Sequence, residues 1–246
     1  SWSTTQRRLA AAGHASLAWD MRGHGQSGRN APVQRYDAGQ FVDDVLAASR
    51  QLPPGPVLVG ASMGGLTGLM AQVRDRPFSA LVLVDVTPRW EAAGMQRIHD
   101  FMTAFPDGFA SFEDAATAIS DYLPHRRERK TPAQLAHILR RADDGRLRWH
   151  WDPRLLAEFV TGSEHLQDVV AEAARAIDVP VLLVSGGFTY FAERLRDRLA
   201  LDFARSNRLE IVDGVLTGRL IDQSWGDICD GAMKRETLQR TCSLIG

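Results

Sequence analysis

The chain has 246 residues, of which 44% are hydrophobic and 24% charged, a composition typical of a globular protein with a buried core. Its formal net charge of -1 at pH 7 gives no overall field that favours nucleic acid or an anionic membrane surface. No apolar run is long enough to cross a bilayer, so we expect a cytoplasmic protein with no membrane partner. The spacing of Cys229 and Cys242 fits neither a zinc site nor a disulfide framework, which predicts two reduced thiols.

Apolar runs alternate with helical patterns in the first part of the chain. Each run is continuous, as expected for strands buried on both faces of a parallel sheet, and the segments between them show helical spacing. In chain order we predict a helix at 2–12, a strand at 14–20, a helix at 40–52, a strand at 56–62, a helix at 63–73 and a strand at 80–86. This alternation predicts an α/β domain.

The alternation stops between residues 87 and 178 and resumes with predicted strands at 179–187 and 208–214. The middle section is rich in helical patterns and carries three of the six tryptophans, Trp90, Trp149 and Trp151. We therefore predict an α/β core at 1–89, a helical cap at 90–177 and the rest of the core at 178–246. A basic cluster in the cap, at Arg126, Arg127, Arg129 and Lys130, contains interspersed acidic residues and no interleaved aromatics, which favours a solvated surface over nucleic-acid binding.

The strand at 56–62 ends in Gly60-Ala61-Ser62-Met63-Gly64, the G-x-S-x-G pattern of a nucleophile elbow. Such a turn predicts Ser62 as a nucleophile and the backbone N–H of Met63 as an oxyanion donor. Gly60 and Gly64 are expected to be required because larger side chains would collide across the turn. The alternative is a glycine-rich turn without chemistry, but the phosphate-binding lysine and the G-x-G-x-x-G run of nucleotide sites are absent. We therefore expect no cofactor and no metal.

Several motifs in their chain order resemble the α/β-hydrolase superfamily, above all its esterase, epoxide-hydrolase and cofactor-free-haloperoxidase-like branch. They are AWDMRGHGQSG at 18–28, VLVGASMGG at 57–65, LVLVDVTPR at 81–89 and VPVLLVSGG at 179–187. The resemblance implies an α/β-hydrolase fold, a mostly parallel sheet flanked by helices with a helical cap insertion. It also implies a mainly structural role for Asp20, Arg22, Gly23, Gly25 and Ser27, and makes His24 a loop-stabilising residue.

The chain departs from the family pattern at two catalytic positions. Where the family carries its acid, this sequence has Tyr190, and the first carboxylate is Glu193. Where the family carries its histidine, the sequence has Thr217, and the last histidine of the chain is His165. The chain also begins at the family's first helix. We therefore expect the preceding strands and their oxyanion loop to be absent, leaving about five parallel strands.

Other residues are weaker candidates for the missing roles. Asp85 ends a predicted strand at an edge where some family members carry their acid, although a carboxylate capping the loop that follows is the favoured interpretation. Candidate bases in the cap are His99, His125, His137, His150 and His165. His150 lies between two tryptophans, a setting more typical of a packed imidazole than of a catalyst.

Two functional hypotheses follow from the elbow and the departures. The first is a hydrolase of a small carboxylic ester or related acyl substrate that uses Ser62 as its nucleophile. The alternative is a catalytically impaired pseudo-hydrolase, or a fragment or altered version of a longer gene, acting as a small-ligand or partner-binding module. In both cases the expected partner is a small molecule, and the sequence does not indicate an oligomeric state.

Overall fold

The computed structural model describes residues 2–86, 89–123, 129–156, 163–199, 201–221 and 223. Cys229, Cys242, His125, Arg126 and Arg127 lie outside these residues, so the predictions about them are not tested. Within the described ranges, none of the helices has the length and apolar character needed to cross a membrane.

The described helices and strands are numbered in chain order. The helices are α1 (Ser3–Ala11), α2 (Ala38–Ser49), α3 (Met63–Asp75), α4 (Ala92–Thr103), α5 (Phe112–Tyr122), α6 (Pro132–Leu135), α7 (Ser163–Arg175) and α8 (Thr189–Leu199). The strands are β1 (Val57–Ala61), β2 (Ala80–Val84), β3 (Leu139–Arg141), β4 (Leu147–Trp149), β5 (Val181–Phe188), β6 (Phe203–Asn207), β7 (Leu209–Val212) and β8 (Val215–Leu220).

The chain divides into two compact units. The sheet unit comprises Trp2–Leu17, Ala38–Arg89 and Glu164–Gly246, and the helix–hairpin unit contains Ala18–Asp37 and Trp90–Ser163. The division at residues 89 and 177 drawn from the sequence stays a prediction.

A four-stranded parallel sheet in the order β1-β2-β5-β6 forms the centre of the sheet unit. Ala61 lies opposite Val84, and Val84 lies opposite Val184, so the strands end at one common edge. Every residue of β2 is buried, as expected for a central strand covered on both faces. Helix α3 packs against β1 and β2, and α8 packs against β5 and β6. The predicted α/β class with a mostly parallel sheet is confirmed.

Two of the predicted parallel strands are wrong. Residues 14–20 form no strand, and Leu17 and Trp19 remain 43% and 38% exposed, because an apolar run alone does not supply a neighbouring ladder. Residues 209–212 form a strand, but β7 pairs antiparallel with β8 in a separate hairpin. The hairpin turns through Asp213 and Gly214, both with positive φ, as a two-residue Asp-Gly turn requires.

The fourth strand of the parallel sheet, β6, was missed because its sequence FARSN is not an apolar run. Two of its polar residues, Ser206 and Asn207, are nevertheless buried. The Asn207 amide donates to the Gly186 carbonyl at 2.8 Å, and the Asn207 carbonyl accepts from the Thr189 hydroxyl at 2.8 Å. Hydrogen bonds to the ends of β5 and α8 therefore compensate for burying this polar residue.

The buried side chain of Gln72 forms hydrogen bonds across the connection from α3 to β2. Its amide nitrogen donates to the Phe78 carbonyl at 3.2 Å, and its amide oxygen accepts from the Phe78 N–H at 3.0 Å. The helix ends at Asp75, and the capping residue Arg76 adopts the left-handed conformation and donates its N–H to the Gln72 carbonyl. Gln72 thus supplies the hydrogen bonds that a neighbouring strand would otherwise give to Phe78.

An aromatic and aliphatic core holds the helix–hairpin unit together. Phe109, Ile119, Leu135 and Leu147 are buried in it, and Trp149 packs against it from the hairpin formed by β3 and β4. Helix α5 begins at an N-cap whose side chain accepts from the backbone of its third residue, and α6 begins with a full capping box. These caps stabilise short helices that lack enough length to be stable alone.

A buried carboxylate ties the two chain segments of this unit together. Asp152 is 3% exposed, accepts from the Tyr36 hydroxyl at 2.9 Å, and accepts from the Arg154 guanidinium at 2.6 Å. The same guanidinium donates to the Asn30 carbonyl at 2.7 Å. Burial raises the pKa of Asp152, but the hydrogen bonds from Arg154 and Tyr36 outweigh it and lower that pKa to about 2.

Candidate functional site

Ser62 occupies the turn between β1 and α3. Its backbone has φ 49° and ψ -123°, a conformation that is uncommon for any residue other than glycine. Its N–H donates to the Val84 carbonyl at 3.1 Å, and its carbonyl accepts from the Gly65 N–H at 2.9 Å. The end of β2 and the first turn of α3 therefore hold this strained backbone, and such strain is concentrated at functional sites.

The turn is this sharp because the chain has glycine where α3 starts against β1. A Cβ at Gly60 would lie 2.6 Å from the Gly64 carbonyl carbon and 2.6 Å from the Gly65 nitrogen, both backbone atoms. A Cβ at Gly65 would lie 2.7 Å from a Val86 methyl group. The prediction for Gly64 is wrong, since a Cβ there meets nothing within 4 Å. Gly60 and Gly65, rather than Gly60 and Gly64, permit the close approach.

Met63 is the first residue of α3, so its backbone N–H has no acceptor within the helix. Further along the helix, the N–H groups of Gly65 and Leu66 are already bonded to the Ser62 carbonyl. The positive end of the helix dipole lies at the same place. Met63 N–H thus has the placement that an oxyanion donor needs, and its assignment remains a candidate one.

The Ser62 side chain is exposed, and no hydrogen bond joins its hydroxyl to any residue that the structure describes. In the described part of the sheet unit the histidines are His14, whose N–H donates to the Leu9 carbonyl, and His165, which is exposed on α7. No hydrogen bond joins either imidazole ring to Ser62 there. The described sheet unit therefore gives Ser62 no general base in this state.

Asp85 follows β2 directly, next to the Val84 that binds the Ser62 N–H, and has a positive φ of 49°. Its carboxylate accepts from the Gly186 N–H at 2.8 Å, and its own N–H donates to the Val184 carbonyl at 2.9 Å. The carboxylate therefore bonds to a residue of β5, whereas the predicted cap of the loop after β2 involves residues 87–88, which lie outside the described residues. The Asn207 amide donates to the carbonyl of the same Gly186, a contact that nothing in the sequence pattern indicated.

The two positions that depart from the family pattern hold side chains with local contacts. Tyr190 is 57% exposed on α8, and the Arg194 guanidinium lies 3.9 Å above its ring and donates to its hydroxyl. Glu193, on the same helix, is exposed. Thr217 lies on β8, where its hydroxyl donates to a Glu210 carboxylate oxygen at 2.7 Å. None of these contacts orients an acid or a base toward Ser62.

The motif at Asp20–Ser27 forms a closed loop in the helix–hairpin unit. The Asp20 carboxylate accepts from the Gln26 N–H at 3.0 Å, and the Ser27 hydroxyl donates to the Asp20 carbonyl. Gly25 has φ 51°, and a Cβ there would lie 2.0 Å from an Asp20 carboxylate oxygen. His24 bonds to the Arg22 carbonyl at 3.1 Å, which gives it the loop-stabilising contact expected from the resemblance.

His150, the most distinctive of the candidate bases, packs between aromatic and backbone partners. Its ring lies 6.1 Å from the His24 ring and 5.6 Å from the Trp151 ring, both edge-on. Burial, followed by the charge of His24, lowers the pKa of His150 below its usual 6.5. A neutral imidazole is therefore favoured at neutral pH, in agreement with a packed side chain.

The other described cap histidines have simpler surroundings. His99 is half-buried on α4 with its Nδ1 atom 3.6 Å from an Asp100 carboxylate oxygen, and His137 is exposed after α6. Among the described residues, no three His, Cys, Asp or Glu side chains converge in an arrangement able to hold a metal ion.

This chain resembles some known proteins over a short stretch and others over most of its length. Two curated phosphoserine phosphatases match a short stretch, one from Albidiferax ferrireducens at 60% identity over 74 residues and one from a Polaromonas species at 54% over 77 residues. These stretches cover 30% and 31% of this chain and 31% and 33% of the two phosphatases. The chain thus spans about a third of the length of these curated relatives.

Solved structures match over a much larger share of the chain. An esterase from Mycobacterium tuberculosis has a TM-score of 0.62 at 21% identity, covering 98% of this chain and 79% of that one. The thioesterase domain from the curacin biosynthetic pathway has a TM-score of 0.59 at 18% identity, covering 99% and 85%. At these identities the likeness shows the fold. A family model described as serine aminopeptidase, S33, matches residues 2–213, and the chain therefore belongs to this family within the α/β-hydrolase superfamily.

Proposed function

We propose that this protein is a serine hydrolase that cleaves small carboxylic esters or related acyl substrates, with Ser62 as the nucleophile. The observation that carries the proposal is the strained backbone of Ser62 at the start of α3, whose φ of 49° and ψ of -123° lie outside the ordinary left-handed region that Arg76 adopts. Maintaining this conformation costs on the order of 1–3 kcal/mol, which is difficult to explain for a turn with no chemical role.

In the proposed reaction the Ser62 Oγ attacks the substrate carbonyl carbon and the hydroxyl proton passes to a base. The tetrahedral oxyanion accepts a hydrogen bond from Met63 N–H, the alcohol leaves with a proton, and an acyl-serine remains. Water then attacks the acyl-serine, releasing the carboxylic acid and restoring the hydroxyl. Both steps require proton transfer, and loss of the base of a working triad lowers turnover on the order of a million-fold.

Because the described sheet unit holds no base beside Ser62, we expect slow turnover. Activated esters are the appropriate substrates for detecting it, since a good leaving group reduces the demand for proton transfer. We expect a fluorophosphonate reagent to label Ser62 and p-nitrophenyl acetate to give a burst of nitrophenol. Peptide mapping by mass spectrometry identifies the labelled residue. Labelling that persists in Ser62→Ala contradicts the proposal.

Ser185 provides a matched control variant at the same edge of the sheet. Its hydroxyl accepts from the Gly187 N–H at 3.0 Å, and it lies in β5 directly after Val184, the partner of Val84, but its backbone has no positive φ. Ser185→Ala is expected to retain labelling and burst. His150→Gln, measured in parallel, tests the strongest of the histidine candidates through the rate of labelling.

The alternative is a catalytically impaired member of the family that binds a small ligand or a partner. The absence of a hydrogen bond to the Ser62 hydroxyl in the described part supports this alternative. It predicts no Ser62-dependent labelling and no burst of nitrophenol.

The phosphoserine phosphatase similarity supports a second candidate, recognition of a phosphate monoester. We infer that the matching stretch lies in the last third of the chain, where Tyr190 and Thr217 depart from the hydrolase pattern. Its 60% identity over 74 residues is far higher than that of the solved hydrolases. Release of inorganic phosphate from phosphoserine, with and without magnesium, tests this candidate. Phosphate release that survives Ser62→Ala would assign it to a site other than the elbow.

A further inference from the structure

A groove of about 420 Å³ lies between α4 and α5 in the helix–hairpin unit, a size within the range of small-ligand sites. Arg97, Asp100 and Phe101 line it from α4, and Ala118, Asp121 and Tyr122 line it from α5. Each set follows the three- and four-residue spacing of one helical face. We refer to it as the α4–α5 groove.

Aromatic rings form the apolar surface of the groove, and contacts with the core of the unit hold them in place. The Phe101 and Tyr122 rings are stacked with centroids 4.1 Å apart and planes 14° apart. Phe101 also contacts Trp149, with ring centroids 5.9 Å apart, and Trp149 packs on the core of the unit. The aromatic surface is therefore anchored to the core, and Ala118 leaves space beside it.

Charged side chains surround this surface. Asp100 accepts from the Gln96 amide at 2.7 Å, whereas no hydrogen bond or ion pair joins Asp121 or Arg97 to another described residue. Two carboxylates therefore face one guanidinium, and the groove has a net negative charge. Aromatic faces also attract cations through their quadrupole, so both features favour a positively charged ligand.

We propose that the α4–α5 groove binds small aryl-alkyl ammonium ions, with the ring against Phe101 and Tyr122 and the ammonium group at Asp121. A benzene ring joined to an ammonium group by a two-carbon chain supplies both of these groups. An anion of the same size meets two carboxylates and is disfavoured. The site does not involve Ser62, and the proposal holds whether or not the elbow is catalytic.

The test uses the intact chain and two probes of similar size, 2-phenylethylammonium and 3-phenylpropionate, in saturation-transfer NMR and calorimetry at low salt. We expect the ammonium probe to bind and the carboxylate probe to bind at least several-fold more weakly. Asp121→Asn should weaken binding of the ammonium probe about three- to fivefold, the range of a partly exposed ion pair. Ala118→Leu should abolish it by filling the groove.

Asp143→Asn is the matched control, because Asp143 is an exposed carboxylate of the same unit that does not line the groove. It should leave binding unchanged. Circular dichroism checks that each variant is folded, and Asp121→Asn removes a charge without changing size. Equal binding of the two probes, or ammonium binding that survives both Asp121→Asn and Ala118→Leu, overturns the proposal. So does the absence of ammonium binding by the unmodified chain.

Discussion

Replacing Gly60 with alanine tests whether the close approach of β1 and α3 is what shapes the elbow. The added methyl group would lie 2.6 Å from three backbone atoms, on Gly64 and Gly65, at the start of α3. Backbone atoms at a helix start cannot rotate away as a side chain can, so the strand and the helix must separate. Overpacking of a core costs about 1–3 kcal/mol, and we expect Gly60→Ala to reach or exceed the upper end of that range.

Gly64→Ala is the matched control, four residues along the same turn. Its Cβ meets nothing within 4 Å, and its position in the first turn of α3 is helical. Alanine is favoured over glycine in helices by about 1 kcal/mol at most. We therefore expect Gly64→Ala to be neutral or slightly stabilising, in contrast to Gly60→Ala.

Urea denaturation followed by circular dichroism gives the free energy of unfolding of both variants. Fluorophosphonate labelling then shows whether a folded Gly60→Ala protein still presents Ser62. If Gly60→Ala unfolds within about 0.5 kcal/mol of the unmodified chain, or destabilises less than Gly64→Ala, the steric argument is refuted.

Three further predictions concern buried or half-buried polar side chains. Because the folded pKa of Asp152 is about 2 and its ordinary value is 3.8, its stabilising contribution is present above pH 4 and lost as pH falls toward 2. Over this window the free energy of unfolding should fall by about 2 kcal/mol more in the unmodified chain than in Asp152→Asn. Equal acid-denaturation curves for the two proteins would contradict this prediction. Because the pKa of His150 is lowered in the folded state, its contribution to stability is present above pH 6.5 and decreases as pH falls. The charge of His24 contributes to this lowering, so NMR of the imidazole protons should show that His24→Gln raises the pKa of His150. Gln72→Leu leaves both backbone groups of Phe78 without partners and should cost about 2–4 kcal/mol in urea denaturation, whereas no measurable loss would show that water replaces the amide.

The core of the fold was predictable because parallel strands covered on both faces are continuous apolar runs. β1, β2 and β5 all have this pattern, and each was predicted within a few residues. The pattern failed where pairing and polar contacts decide the outcome. Residues 14–20 are apolar but form no strand, whereas β6 carries the buried Ser206 and Asn207, and Asn207 is compensated by hydrogen bonds to β5 and α8.

The candidate site was predictable to the extent that it is local. A strand, a tight turn and a helix start lie within a few residues of each other, so Ser62 and Met63 can be assigned by pattern alone. The steric roles within the turn were only half predictable, because which glycine meets backbone depends on how β1 approaches α3. The contacts of Asp85 with Gly186, and of Asn207 with the same residue, join segments about a hundred and about twenty residues apart along the chain, and no local pattern encodes them.

The paired hydrogen bonds between Gln72 and Phe78 close the intervening residues into a ring that is separate from the sheet. The two hydrogen bonds that close the ring therefore position the start of β2. The residues farthest from these bonds, Arg74 to Pro77, form the tip of the ring and are mostly exposed. Changes in that tip should not displace the strand. The ring is accordingly a place where a labelled residue or a short peptide tag can be introduced while the elbow, on the opposite end of α3, keeps its geometry.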